Sequence, residues 1–200
     1  MTVQTGISRP ELTLPDAEAA RLRAAYRDAR VILEYGSGGS TVLAAEMPGK
    51  TIYAVESDRD WAEMMLGWFE LNPPATGSDA QIIWVDIGPT KEWGHPRKAS
   101  KHLQFARYPL AVWDMEGLQQ PDVVLVDGRF RAGCVMAAAF RTAKPVTVFV
   151  DDYKQRKAYH RVEEFVGPPT MTGRLAEFRV APMLPDPARL LDIVEMMTRP

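Results

Sequence analysis

Short, continuous apolar runs alternate with amphipathic stretches along most of the chain. Val31-Ile32-Leu33, Thr51–Val55, Gln81–Val85, Val123–Val126 and Val146–Val150 each read as a strand. Their apolar positions run on without polar alternation, which predicts burial on both faces, as for parallel strands of an α/β sheet. Helical stretches lie between them: Ala17–Ala29 behind Pro15 and the capping candidate Asp16, then Thr41–Glu46, Asp58–Leu71, Ala132–Arg141 and Tyr159–Val166. In Asp58–Leu71, Trp61, Met64, Met65 and Trp68 recur at i, i+3, i+4, i+7, the spacing of a core-facing stripe. Leu175–Ala181 alternates better and reads as a late antiparallel strand, and Pro187–Met197 as a closing helix. The order predicts an α/β fold: a doubly wound, mostly parallel sheet with helices on both faces. No repeat or linker divides residues 1–200, so one domain is expected.

Composition narrows the classes. The 200 residues, 46% hydrophobic and 25% charged, suit an ordinary globular protein with one well-buried core. A net charge of -2 gives no global reason to expect nucleic acid or an anionic membrane as partner. The single cysteine, Cys134, excludes an intramolecular disulfide and a multi-cysteine metal site. Met1–Gly6 lacks a basic stretch leading into an apolar core, so no signal peptide is expected. Apolar runs such as Val146–Val150 fall far short of the roughly 20 residues that span a bilayer. A cytoplasmic protein acting on a small molecule is the expectation.

In a doubly wound sheet, ligands bind beyond the carboxyl ends of the strands, where the strand order reverses. The first such end carries Glu34-Tyr35-Gly36-Ser37-Gly38-Gly39-Ser40-Thr41, and glycines there allow a sharp turn and close backbone approach to a ligand. Glu56 ends the second strand, where a carboxylate can accept hydrogen bonds from ribose hydroxyls. The dinucleotide pattern G-x-G-x-x-G needs glycine where this chain has Thr41, which disfavours an oxidoreductase, and no Gly-Lys-Ser/Thr phosphate loop is present. Glu34 before the turn suits a ligand with a cationic end and would repel a pyrophosphate.

Glu34-x-Gly36-x-Gly38 together with Glu56 resembles the first two motifs of the class I S-adenosylmethionine (SAM)-dependent methyltransferases. The likeness extends from the leading helix to the fifth strand. It implies SAM as cofactor, with Glu34 and the loop residues Gly36, Ser37, Gly38 and Ser40 at the methionine end and Glu56 at the ribose. It also implies Asp86 at the adenine amino group, Ile87 beside the ring, and Asp127 facing the transferred methyl. Ser40 stands where the family pattern often has a third glycine. A non-catalytic SAM-binding protein is the alternative within the same fold. No Asn/Asp-Pro-Pro-Tyr/Phe motif of base-modifying enzymes is found.

Two more strand ends are acidic, Asp127-Gly128-Arg129-Phe130-Arg131 and Asp151-Asp152-Tyr153. Asp127 with Asp151 and Asp152 resembles the ligand set of the metal-dependent O-methyltransferases, which implies a divalent cation such as Mg²⁺ or Mn²⁺. The match departs in two places: Asp152 replaces an asparagine, and Phe130 stands where that family carries a lysine. An Arg–Asp ion-pair network is the competing reading. Asp127, Arg129 and Asp151 are the catalytic candidates, with Arg131 and Tyr153 toward the substrate. The least regular stretch, Gly88–Trp113, holds Lys91, Arg97, Lys98, Lys101 and Arg107 interleaved with Trp93, Phe105, Tyr108 and Trp113. It reads either as a lid recruiting an anionic substrate through Trp93, Lys98 and Lys101, or as a solvated basic loop pinned to the core by its aromatics.

Overall fold

The computed structural model describes residues 7–200; the segment Met1–Gly6, on which the signal-peptide expectation rests, lies outside the described residues. Helix α1 (Asp16–Asp28) leads into β1 (Val31–Tyr35), α2 (Gly39–Ala45), β2 (Thr51–Glu56), α3 (Arg59–Leu71) and β3 (Asp79–Trp84). A two-stranded hairpin, β4 (Thr90–Lys91) and β5 (His95–Pro96), follows, then the short helices α4 (His102–Phe105) and α5 (Arg107–Leu110). After these come β6 (Val123–Val126), α6 (Arg131–Arg141), β7 (Val146–Val150), α7 (Glu163–Val166), β8 (Thr170–Thr172), β9 (Leu175–Val180) and α8 (Leu190–Thr198).

The central sheet has seven strands in the order β3-β2-β1-β6-β7-β9-β8. From β3 to β7 the pairs are parallel, while β9 pairs antiparallel with β7 and with β8. The order reverses between β1 and β6, the switch point at which such sheets form a crevice. Because strand side chains alternate between faces, β1 feeds two cores. Ile32 packs with Leu22, Tyr26 and Leu43 of α1 and α2, while Leu33 and Tyr35 pack with Tyr108, Phe130 and the alanines of α6. The doubly wound α/β architecture is thus the one the apolar runs predict.

Several local expectations are corrected. Asp16 is the first helical residue rather than a cap, and Pro15 precedes it. The buried positions of α3 are Ala62 and Met65, whereas Trp61 and Trp68 are not buried, so the stripe is turned from the predicted one. Residues 88–113 are not an irregular loop: they form the hairpin and short helices, and Phe105, Tyr108 and Trp113 are buried in the core. Strand β8, too short to give a pattern, was not foreseen. Among the described residues no helix is long and apolar enough to cross a membrane.

Candidate functional site

The chain leaves β1 through Gly36, whose φ of 97° lies in the left-handed region. A Cβ there would lie 2.8 Å from the Gly128 nitrogen, so the loops after β1 and β6 are in direct contact. The Gly36 N–H donates to the Val55 carbonyl at 2.8 Å, and the Gly128 N–H to the Tyr35 carbonyl at 2.6 Å. At Gly38 the backbone is extended and a Cβ would meet nothing within 4 Å. Its open side therefore faces space that a ligand can use, and it makes no steric demand within the chain.

Glu56 is 7% exposed and accepts from the Ser57 N–H at 2.7 Å, the Asp58 N–H at 2.9 Å, and the Ser37 N–H and hydroxyl at 3.2 Å each. Burial pushes its pKa up against these bonds. Among the described residues it makes no ion pair, and the two long Ser37 bonds are the ones that hydroxyls of a ligand can replace.

Glu34 differs from its expected place. It is fully buried beneath the loop, where it accepts from the Tyr26 and Thr41 hydroxyls, and Thr41 Oγ1 in turn accepts from the Gly38 N–H at 2.9 Å. It braces the loop from below rather than touching a ligand. Burial, opposed by these hydrogen bonds, pushes its pKa up to about 7. Asp86 is exposed and accepts from the Gly88 N–H at 2.8 Å, the part of a turn residue. Ile87 is fully buried in the core rather than open beside a ring.

Tyr108 was not foreseen as a site residue. Its side chain is fully buried at the switch point, and a Cβ on Gly128 would lie 2.1 Å from its hydroxyl. That hydroxyl donates to the Val55 carbonyl at 3.4 Å, and its ring packs 5.8 Å from Tyr35 and 5.6 Å from Phe130. Trp113 donates to the Tyr35 hydroxyl and Tyr35 to the Pro109 carbonyl, each at 2.7 Å, which fastens residues 108–113 to the end of β1. An aromatic side chain therefore packs against the contact between the loops that follow β1 and β6. Phe130, fully buried with a φ of 52°, belongs to the same aromatic cluster, so the place of the family's lysine holds a core residue.

The acidic residues beyond β6 and β7 are brought together, but with arginines between them. Arg174, from the turn before β9, holds Asp151 through both carboxylate oxygens at 2.9 and 2.7 Å, and Asp151 is 2% exposed. Arg131 pairs with Asp127 at 3.1 Å and approaches Asp152 at 3.6 Å, while Arg156 pairs with Asp152 at 3.2 Å. Three guanidinium groups thus sit where a divalent cation would need the same oxygens. Among the described residues no group of three or more His, Cys, Asp or Glu is arranged to hold a metal. The residues do not fit Mg²⁺ or Mn²⁺, and Asp127, Asp151 and Asp152 are corrected from metal ligands to partners of arginine.

The substrate candidates are corrected likewise. Arg131 is 3% exposed and donates to the backbone carbonyls of Asp127, Gly128 and Asp151, tying the ends of β6 and β7 together. Tyr153 is buried, stacked 4.6 Å from His160, and donates to Glu163 at 2.8 Å. Asp151 is enclosed by Arg174 and has no path to a substrate. Asp127 keeps a partly exposed carboxylate, and burial, opposed by Arg131, pushes its pKa up to about 6. Lys98 and Lys101 are exposed, and Trp93 is 86% exposed on the hairpin with a φ of 61°. The hairpin itself is docked on the end of β2: the Gly94 carbonyl accepts from the Ser57 hydroxyl at 3.1 Å, and Thr90 donates to Asp58 at 3.0 Å.

A glycine turn after β1, a buried acid at the end of β2 and an acid after β6, around the switch point of this sheet, define the fold of class I SAM-dependent methyltransferases. Structural comparison agrees. A methyltransferase-like protein from Silicibacter pomeroyi DSS-3 is 58% identical, with a TM-score of 0.94 over 96% of this chain and 99% of that one. The chain belongs to the same family as that methyltransferase-like protein. More distant solved structures share the fold. The O-methyltransferase TomG from Streptomyces achromogenes, in complex with SAM, is 17% identical with a TM-score of 0.58, over 86% of this chain and 82% of that one. An O-methyltransferase from Bacillus cereus, in complex with S-adenosylhomocysteine, is 13% identical with a TM-score of 0.54, over 83% and 82%. No protein-family model matches the sequence, and comparison with curated proteins returns no match.

Proposed function

We propose that the protein binds SAM and methylates a small molecule, as one domain working in the cytoplasm. The observation that carries this reading is the set of carboxylates around the switch point. Glu34 and Glu56 are buried and make no ion pair with Lys or Arg among the described residues; Asp127 adds a third acid, paired with Arg131. Acids of this kind favour a cationic ligand, whose charge would hold them ionised, over a pyrophosphate. Bound SAM supplies a methyl group activated by a positively charged sulfur. In this chain, Glu56 and Ser37 would take the ribose, the open side of Gly38 the methionine end, and Asp127 the cationic region. Glu34 holds the loop in place through Thr41. Asp127, its pKa raised to about 6, would also accept a proton from an acceptor hydroxyl or amine.

Tyr108 favours a second reading, a SAM-fold protein that does not turn over, because its buried side chain would have to move aside to open the crevice. Calorimetry and thermal-shift measurements against SAM, S-adenosylhomocysteine, NAD and ATP test the cofactor. Binding of SAM and its product is expected, and a preference for NAD or ATP would overturn the assignment. Methyl transfer to a panel of small acceptors then separates the active from the inactive reading.

A further inference from the structure

Four arginines, Arg129, Arg131, Arg156 and Arg174, meet three aspartates, Asp127, Asp151 and Asp152, beyond the ends of β6 and β7. Three of the arginines lie within 4 Å of a carboxylate. Arg129 is the remaining cation. Its Nε donates to the Gly128 carbonyl at 3.2 Å, and among the described residues it has no carboxylate within ion-pair distance. It is half-buried, and burial together with the charges of Arg131 and Arg156 holds its pKa below the usual arginine range. A guanidinium keeps its charge even so, and a partly desolvated one without a partner gains most from an anion.

Beside this cluster lies a cleft of about 260 Å³ lined by Ala132, Arg156, Tyr159, Arg161, Met196 and Arg199. The Tyr159 ring lies 6.0 Å from both the Arg131 and the Arg156 guanidinium carbons. Glu195, also on the cleft wall, is paired with Arg161 at 2.7 Å, Asp192 holds Arg161 as well and Asp152 pairs with Arg156, so among the described residues Arg199 is the cleft-wall arginine without an ion pair. Cations, an aromatic face and two apolar side chains thus meet in this cleft; Arg129 is not on its wall, but the charges of Arg156 and Tyr159, which are, act on it.

We propose that Arg129, Arg156 and this cleft form the acceptor subsite and take a small apolar carboxylate, its charge between the two arginines and its skeleton against Tyr159, Ala132 and Met196. The proposal deepens the methyltransferase reading and rests on it for the word acceptor. One uncompensated cation in the cluster matches a monoanion, whereas a phosphate dianion would leave excess negative charge. Recruitment of an anionic substrate accordingly belongs to the arginines beyond β6 and β7, not to Lys98 and Lys101.

The test uses the full chain with benzoate as probe, titrated by NMR or calorimetry, with benzyl alcohol as neutral isostere and inorganic phosphate as second anion. S-adenosylhomocysteine binding is measured on the same samples. Saturable benzoate binding is expected, at least tenfold weaker in Arg129→Gln and in Arg156→Gln, with benzyl alcohol indifferent to both substitutions. Arg129→Gln removes a crowded charge and leaves the neighbouring ion pairs intact, so it should fold, and Arg129→Lys should restore part of the affinity. Benzoate affinity unchanged in Arg129→Gln, no saturable benzoate binding, or phosphate binding tighter than benzoate would each overturn the subsite. If S-adenosylhomocysteine still binds in those cases, the cofactor reading stands without the subsite. If benzoate binds as expected and S-adenosylhomocysteine does not, the anion seat stands and the methyltransferase reading falls.

Discussion

Removing the Tyr108 side chain should make SAM bind more tightly if that side chain, fully buried against Gly128, must move aside to open the crevice at the switch point. Withdrawing a fully buried aromatic ring exposes surface worth about 2–3 kcal/mol. Its two packed aromatic neighbours, Tyr35 and Phe130, add about 0.5–1.5 kcal/mol each. The hydrogen bond to Val55 is long, at 3.4 Å, and adds little. Since part of the ring stays covered when it moves aside, opening should cost about 3 kcal/mol, which lowers the apparent affinity about 100-fold. Tyr108→Ala removes that cost, and its SAM Kd should fall by about that factor. The empty variant should lose about 3–5 kcal/mol of stability to the cavity, and saturating SAM should restore much of it. Tyr108→Leu, which leaves a smaller void, should show the same trend with a smaller loss, and Tyr108→Phe should change affinity only a few-fold. The assay is calorimetry on variants whose fold is verified by circular dichroism. A folded Tyr108→Ala or Tyr108→Leu that binds SAM no more tightly than the parent chain refutes the closed-crevice account.

Glu34 makes stability fall as pH rises. Its folded pKa of about 7 lies above the 4.5 of the unfolded chain, so its contribution is full below pH 4.5 and is lost as pH rises through 7, on the order of 3 kcal/mol in all. Glu34→Gln should flatten that part of the slope in urea unfolding between pH 4.5 and 8 and be the more stable protein at pH 8; parallel slopes would refute it. Asp127, raised from 3.8 to about 6, has the same sign and should leave a residual slope at lower pH. Glu56→Gln keeps the side chain's shape but replaces an ionised acceptor for ribose, and should weaken SAM binding by about 1.5–3 kcal/mol. Equal SAM affinity in the two proteins by calorimetry would remove Glu56 from the cofactor site.

Much of the fold was legible because its signals are local. The apolar runs at Val31, Thr51, Val123 and Val146 became the central parallel strands, since a strand covered on both faces needs no polar alternation. What the sequence hid depends on pairing across long separations. Arg174 neutralises Asp151 from 23 positions away, and nothing in the local pattern Val150-Asp151-Asp152-Tyr153 separates that outcome from a metal site. Phe130 was the one local hint, since a core aromatic had replaced a lysine. The role of Tyr108 was hidden in the same way: the sequence reads it as one of four aromatics that pin a basic stretch to the core, but a contact with Gly128 spans a strand crossover that periodicity does not encode. At Glu34 the acid was recognised and its direction was not. Side chains alternate along β1, so Glu34 faces α1 and α2 with Ile32.

The charges at the carboxyl edge of the sheet divide along the strand order. Among the described residues, Glu34 and Glu56 over β1 and β2 are buried acids without an ion pair, and Arg129 over β6 and β7 is a cation without a carboxylate in ion-pair distance. Asp127 lies at the boundary, on the first residue after β6, paired with Arg131 and partly open. A cationic cofactor over the first pair and an anionic acceptor over the second would each be drawn to its own half, and their reacting atoms would meet near Asp127. Direct methyl displacement depends chiefly on such alignment, with a base to take the acceptor's proton. The arginines already occupy the acidic oxygens that a divalent cation would use. Orientation by opposed charges along one sheet edge would need no such ion, with each of the three aspartates tied to an arginine.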